Sequence, residues 1–272
     1  MLRHLFNRVL SPDKDSDSTR IKSGAIPSPK FATEMAQDPL LYVNENLAKV
    51  LKSHPDRHLQ NVCNQVFKEI FTVPLFTSIA TQNILDDLCR HEANLSPPDQ
   101  VNTQRQQIPR DLIHVQDVGF LPFVNALVET VIGPVVYSCF PHIRPFPICV
   151  SNSYFIRLVA GGSEIGFHTD DSDITVNICL GGNFEGSVQY FQGPRCKHHL
   201  HTWHRPEEYF EYAHEPGSVL LYTGNHRHGV YPIRSGYRTN LVILLRTVGS
   251  VQEQGCPEWC GEHENSLYVN PK

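Results

Sequence analysis

The apolar positions change their period near Pro147. Before it they recur at helical spacing. In ENLAKVLKS the residues Leu47, Val50 and Leu51 fall on one side, which predicts a helix over 44–53, and 56–63 reads as a second short one. Val66 to Thr77 is rich in β-branched and aromatic residues and predicts a strand. Ser78 or Thr81 is expected to cap the next helix, whose apolar side is Ile84, Leu85 and Leu88. Residues 95–110, with SPPDQ and a Gln-rich run, predict a loop, and a further helix follows over roughly 121–133. Phe120 to Phe140 is apolar and long enough to cross a bilayer. Asn125, Glu129, Pro122 and Pro134 interrupt it, and such polar groups are costly in lipid. A helix packed on a sheet is expected, and no membrane partner.

After Pro147 the texture becomes short β-rich runs between Gly and Pro turns: CVSNSYFIRLVA, DITVNICLG, GSVQYFQG, GSVLLYTG, HGVYPI and TNLVILLRTV. This pattern predicts an all-β sandwich or barrel. The expected fold is α+β, a jelly-roll core with N-terminal helices packed on it. Its parts are a flexible leader over 1–38, a helical support region with one or two strands over 39–147, the β-domain over 148–248, and a tail over 249–272.

Composition narrows the function. With 23 Lys and Arg against 28 Asp and Glu, the net charge is −5, and no dense basic block appears, so no nucleic-acid partner is expected. Eight cysteines are too sparse for a disulfide scaffold and point to a reducing, intracellular compartment, cytoplasmic or nuclear. Arg3 and Arg8 on the apolar opening decamer leave a mitochondrial address open, against which Asp13, Asp15 and Asp17 argue.

The chemistry gathers around AGGSEIGFHTD, read as a loop ending in His168, Thr169 and Asp170. His168 and Asp170, two residues apart, share one side of an extended segment. His228 lies just before the last strand. Two imidazoles and a carboxylate on one face of a metal, with other positions open, is the donor set of non-haem Fe(II) oxygenases. An H-x-D pair alone also occurs as a hydrogen-bonded loop pair. His228, however, is followed by Pro232, Gly236 and Arg238, and Arg238 enters the apolar run TNLVILLR. A buried arginine there needs an anion, either a bound carboxylate or a neighbouring Asp or Glu. His226 lacks the same spacing to Pro and Arg, which favours His228. Asp171 and Asp173 read as solvated or supporting carboxylates.

Two further clusters stand apart. KHHLHTWH, with His198, His199, His201 and His204, reads as a surface loop rather than a metal tract. Cys256, Cys260 and His263 in the tail have loosely zinc-like spacing, but three donors do not close a tetrahedral site, so no zinc is expected.

The stretch from about 150 to 247 resembles the catalytic domain of the 2-oxoglutarate- and Fe(II)-dependent dioxygenases, in the prolyl/lysyl hydroxylase-like branch. The carrying segments are HTDDSDITVNICL and HGVYPIRSGYR. Within the branch the pattern is most similar to the 2-oxoglutarate and iron-dependent oxygenase domain-containing protein 2 group. The resemblance implies a double-stranded β-helix core with iron on His168, Asp170 and His228. It also implies Arg238 clasping the distal carboxylate of 2-oxoglutarate, and Asn177 near that co-substrate. The implied reaction takes dioxygen and hydroxylates a C–H bond of a protein side chain or small molecule. It releases succinate and CO2, with L-ascorbate as a plausible accessory. A family tyrosine that touches the same carboxylate is replaced here by Leu158, and Tyr154 is a candidate substitute. The rival readings are a non-catalytic metal-binding jelly-roll interaction module and a zinc hydrolase.

Overall fold

The computed structural model describes residues 29–53, 58–94, 112–162, 165–249 and 256–263. Two antiparallel sheets form its core. The larger is built in the order β1 (Asn64–Phe67), β2 (Ile70–Pro74), β10 (Ser218–Thr223), β6 (Ile174–Gly181), β12 (Ile233–Thr247), β4 (Ile148–Val159) and β3 (Leu112–His114), with β7 (Phe184–Gly186) paired to β12. The smaller runs β5 (Ile165–His168), β11 (His226–Val230), β8 (Gln189–Pro194) and β9 (Tyr209–Tyr212). This is a double-stranded β-helix, as expected.

The alternation along the central strands assigns their two faces. In β6, Val176 and Ile178 join the large core with Val219, Leu221, Leu241 and Ile243, while Thr175 and Asn177 point the other way, into the space between the sheets. Helices cover the outer face of the large sheet: α1 (Lys30–Gln37), α2 (Glu45–Ser53), α3 (Ser78–Asn94) and α4 (Leu121–Cys139). β6 is buried along its whole length because both of its faces are covered.

The apolar 120–140 stretch is α4, longer than the expected 121–133. Phe123, Val124, Leu127, Val131, Ile132, Val135 and Val136 are buried in the protein core. Pro134 cannot donate to the helical ladder. The helix absorbs it through a π-turn over Val128–Ile132, in which the Gly133 N–H reaches back to the Val128 carbonyl.

Several expectations need correction. The strand over 66–77 is a hairpin, β1 and β2, turned at Glu69 with φ 56°. The cap of α3 is Thr77, whose hydroxyl accepts from the Ala80 N–H at 3.2 Å, rather than Ser78 or Thr81. Of the short helix expected over 56–63, the described residues show His58 helical and a 3-10 turn at Leu59–Asn61. The loop over 95–110 lies outside them.

The leader is the larger correction. Residues 30–37 form α1, with Ala32 and Met35 buried. Its first turn is held by the buried carboxylate of Asp87, which accepts from the Phe31 and Ala32 N–H groups at 2.7 and 3.0 Å. An anion at a helix N-terminus satisfies otherwise orphaned donors. Removing residues 29–38 is therefore expected to lower stability, because Asp87 would be left buried without those donors. Asp87→Ala is expected to cost about 1–3 kcal/mol in denaturant unfolding. Truncation at residue 28 is the control.

Candidate metal centre

His168 closes β5 and His228 lies in β11, and they are direct cross-strand partners. The expected loop before His168 is thus partly a strand, which fixes the ring against its partner. The ring centroids lie 4.3 Å apart. His168 Nδ1 donates to the Gly166 carbonyl at 2.7 Å and His228 Nδ1 to the His226 carbonyl at 2.9 Å. A carbonyl can only accept, so each ring carries a proton on Nδ1 and turns Nε2 toward the cavity, where Asp170 raises the pKa of His168 against the effect of burial.

Asp170 completes the face. Its Oδ1 is 3.4 Å from His168 Nε2 and its Oδ2 3.7 Å from His228 Nε2. One donor atom from each of the three lies within 4.8 Å of the others. The turn carrying Asp170 is set by its own N–H, which donates to the Gly224 carbonyl at 2.9 Å. Glycine is required at 224, since a Cβ there would meet the Ser172 carbonyl. The Thr175 hydroxyl donates to Asp170 Oδ2 at 2.7 Å, and the Tyr222 hydroxyl lies 3.3 Å from the same oxygen. Burial opposes ionisation of Asp170. The His228 and His168 rings and the Thr175 hydroxyl outweigh it and hold the carboxyl below the usual carboxylate range. Burial, with His168 beside it, pushes His228 down to about 4, so its imidazole is neutral at physiological pH. A carboxylate and a neutral imidazole are the protonation states a metal requires.

Arg238 faces the same cavity from β12 and is buried. Its Nη1 donates to the Ser187 carbonyl at 2.7 Å, and its guanidinium lies 5.7 Å from the Phe184 ring centroid. Among the described residues it has no carboxylate partner, and its Nε has no acceptor. Burial pushes the guanidinium below its ordinary value. The site thus holds a desolvated cation with donors to spare, the condition for an organic anion.

Asn177 reaches the cavity as a network member. Its Nδ2 donates to Gln189 Oε1 at 3.2 Å, and its Oδ1 accepts from Asn240 Nδ2 at 2.6 Å. Tyr154 lines the cavity beside Ile156, whereas Leu158 packs with Val230 and Ile233. Sequence reasoning missed Thr175, Gln189, Tyr222 and Asn240. Thr175 and Tyr222 lie in runs that the sequence marks as strands, and the two-residue period of a strand is the signal that would have placed them on the cavity side.

The remaining candidates fall outside this group. His226 is buried edge-on to the Phe191 ring, centroids 5.7 Å apart, and burial holds it neutral with a pKa of about 4. It is not among the clustered donors. Asp171 pairs with Arg246, and Asp173 accepts from the Thr247 N–H at 2.7 Å and its hydroxyl at 2.6 Å. Both fasten the Asp170 turn to the end of β12 and do not orient His168.

The fold and this face define the class: a double-stranded β-helix with a His–Asp–His face and a buried arginine opening on one cavity. No family model matches the chain. Its sequence relatives are nevertheless 2-oxoglutarate and iron-dependent oxygenase domain-containing proteins. It is 32% identical over 152 residues to the protein ICU11 of that name from Arabidopsis thaliana, covering 54% of this chain and 38% of the relative. It is 28% identical over 200 residues to protein 2 of that name from Homo sapiens, covering 72% of this chain and 53% of the relative. The chain therefore spans about two fifths to half the length of these relatives. Among solved structures, EctD from S. alaskensis with 2-oxoglutarate and 5-hydroxyectoine shares the fold. The TM-score is 0.51 at 14% identity, over 68% of this chain and 74% of that one.

Proposed function

We propose that the protein is a 2-oxoglutarate- and Fe(II)-dependent dioxygenase that hydroxylates a C–H bond of a protein side chain or small molecule. The observation that carries this reading is the placement of Arg238, buried and without a carboxylate partner among the described residues, on the cavity that the three donors face. A metal-binding module without catalysis has no use for that cation.

In this reading His168, Asp170 and His228 hold the iron. The bound metal supplies dioxygen activation coupled to decarboxylation of 2-oxoglutarate to succinate and CO2, with ascorbate serving as an accessory reductant. The chain's own part is orientation and exclusion of water. The Gly166 and His226 carbonyls fix the two rings, and Thr175 fixes the carboxylate. Arg238 takes the distal carboxylate of the co-substrate, with Asn177, Gln189 and Asn240 as the adjoining polar wall. Tyr154, which lines the same cavity, is the candidate to supply the hydroxyl missing at Leu158. Ile156, Val230 and Val242 line the apolar side of the cavity.

Anaerobic titration of the full chain with Fe(II) and then 2-oxoglutarate, followed by aerobic assay for succinate, tests the proposal. Co-substrate binding that requires both iron and Arg238 supports it. Fe(II)-loaded protein that neither binds 2-oxoglutarate nor forms succinate refutes it. Thr175→Val is expected to weaken Fe(II) about 10-fold by freeing the carboxylate, at unchanged fold, as read by competition with a chelator.

A further inference from the structure

The tail cysteines do not stand alone. The connection from β8 to β9 carries Cys196 and His199, and the segment 256–263 folds back onto it. The Cys196, Cys256 and Cys260 sulfurs and His199 Nδ1 form a second cluster of donor atoms, all within 4.8 Å of one another. His199 Nδ1 lies 3.4 Å from Cys196 Sγ, 3.4 Å from Cys256 Sγ and 3.5 Å from Cys260 Sγ. The Cys196 and Cys256 sulfurs are 3.9 Å apart. Zinc–sulfur bonds of about 2.3 Å and zinc–nitrogen bonds of about 2.0 Å in a tetrahedron require edges of roughly 3.8 Å between sulfurs and 3.5 Å from sulfur to nitrogen. The measured separations match those edges. They are far too long for a disulfide, whose sulfurs sit about 2.05 Å apart.

We propose that Cys196, His199, Cys256 and Cys260 bind a structural zinc ion that ties the C-terminal segment to the β8–β9 connection. The expectation that the tail lacks a fourth ligand is corrected by the fold. The missing donors come from a segment some sixty residues earlier, and His263 is not one of them. Its Nδ1 instead donates to the Cys256 carbonyl at 2.7 Å. Of the four histidines in KHHLHTWH only His199 enters the cluster. His198 and His201 are exposed, and His204 lies against Tyr209.

The surroundings suit a thiolate-rich site. The Cys196 N–H points at Cys260 Sγ at 3.5 Å, a contact that favours a sulfur carrying charge. Two buried guanidiniums flank the cluster. Arg195 is forked onto Glu208 at 2.7 Å through both Nη atoms and also donates to the Trp203 carbonyl. Arg227 donates only to backbone carbonyls in the contacts described, among them Leu200 and Thr202 of the same connection. Arg195 is balanced by Glu208 and by Glu262 at 3.5 Å, so the one net negative charge of three thiolates around a divalent ion falls beside Arg227, which has no carboxylate partner among the described residues. Gly261 passes close to the Arg195–Glu208 pair, and a Cβ there would displace the ends of those two side chains. Four donors from both segments leave no open position, which marks the site as structural rather than catalytic.

This inference is independent of the oxygenase reading. The full chain is purified under reducing conditions, supplied with zinc, desalted and analysed for metals. About one tightly held zinc per chain is expected. It should persist in Asp170→Ala, which removes the carboxylate of the other donor set, and in His263→Ala. It should vanish in Cys256→Ser/Cys260→Ser and in Cys196→Ser. Should those variants fail to fold, X-ray absorption at the zinc edge of the unaltered chain decides. Three sulfurs near 2.3 Å and one nitrogen near 2.0 Å are expected. Unaltered protein without stoichiometric zinc would overturn the proposal. So would a zinc shell of oxygen and nitrogen alone, or zinc that departs in Asp170→Ala.

Discussion

His228→Ala is expected to lower Fe(II) affinity by more than about 100-fold and to abolish 2-oxoglutarate turnover, whereas His226→Ala keeps both. Losing a ligand costs more than losing a supporting contact, which itself costs about 10–100-fold. The two histidines are buried alike, so burial does not separate them. Their contacts do: the His228 ring faces Asp170 and lies across from His168, while the His226 ring abuts Phe191. Isothermal titration with Fe(II) under argon measures the difference. Circular dichroism shows whether either variant has lost its fold. Equal loss of iron in folded His226→Ala would place the second histidine wrongly.

Arg238 gives the second large effect, with opposite signs for function and stability. Arg238→Lys keeps the charge but loses the planar fork that grips a carboxylate with two parallel hydrogen bonds. A rise of at least about 10-fold in the apparent KM for 2-oxoglutarate is expected, with Fe(II) binding retained. Arg238→Met removes a cation that is buried without a carboxylate partner among the described residues. Replacing a poorly compensated buried charge by an apolar side chain of similar reach is often neutral or stabilising. The variant should therefore lose co-substrate binding while its Tm in the absence of 2-oxoglutarate holds or rises. A sharp fall in that Tm would make Arg238 a structural residue and move the anion anchor elsewhere. In the unaltered protein, 2-oxoglutarate should raise Tm in a concentration-dependent way, and in Arg238→Met it should not.

The metal face and the strands around it were unequally legible in the sequence. The H-x-D pair, the later histidine and the arginine ten residues beyond it carry their meaning in spacing, because strand geometry converts fixed intervals into shared faces. The strands β4, β6, β10 and β12 announced themselves as β-rich apolar runs between Gly and Pro turns. The short strands β5, β7 and β9 did not. β5 reads IGFH, with glycine at its second position and too few residues for a period. The helix α1 was hidden for a related reason. KFATEMAQ sits between prolines and polar runs, and what holds its first turn is Asp87, a partner more than fifty residues away. The Cys196–His199 pair was unreadable as half of a cluster because its other half is separated from it by β9 to β12. Sequence spacing reports a site only when its donors are local or when the intervening topology is already known.

The facing of His168 and His228 also bears on how the chain reaches its native state. These residues are 60 positions apart, and they share one donor face only once β11 has zipped against β5. That pairing is non-local, so loop-closure entropy must be offset before the two imidazoles meet. A nascent chain that has emerged only as far as β10 holds His168 and Asp170 without their third companion. The three-donor face is thus complete only once β11 has paired with β5, and any ion it holds stabilises only the completed barrel. Dilution of unfolded protein into Fe(II) should accordingly speed recovery of the metal-bound state little while slowing its subsequent unfolding. Iron would then act as a latch on the finished molecule and not as a nucleus around which it assembles.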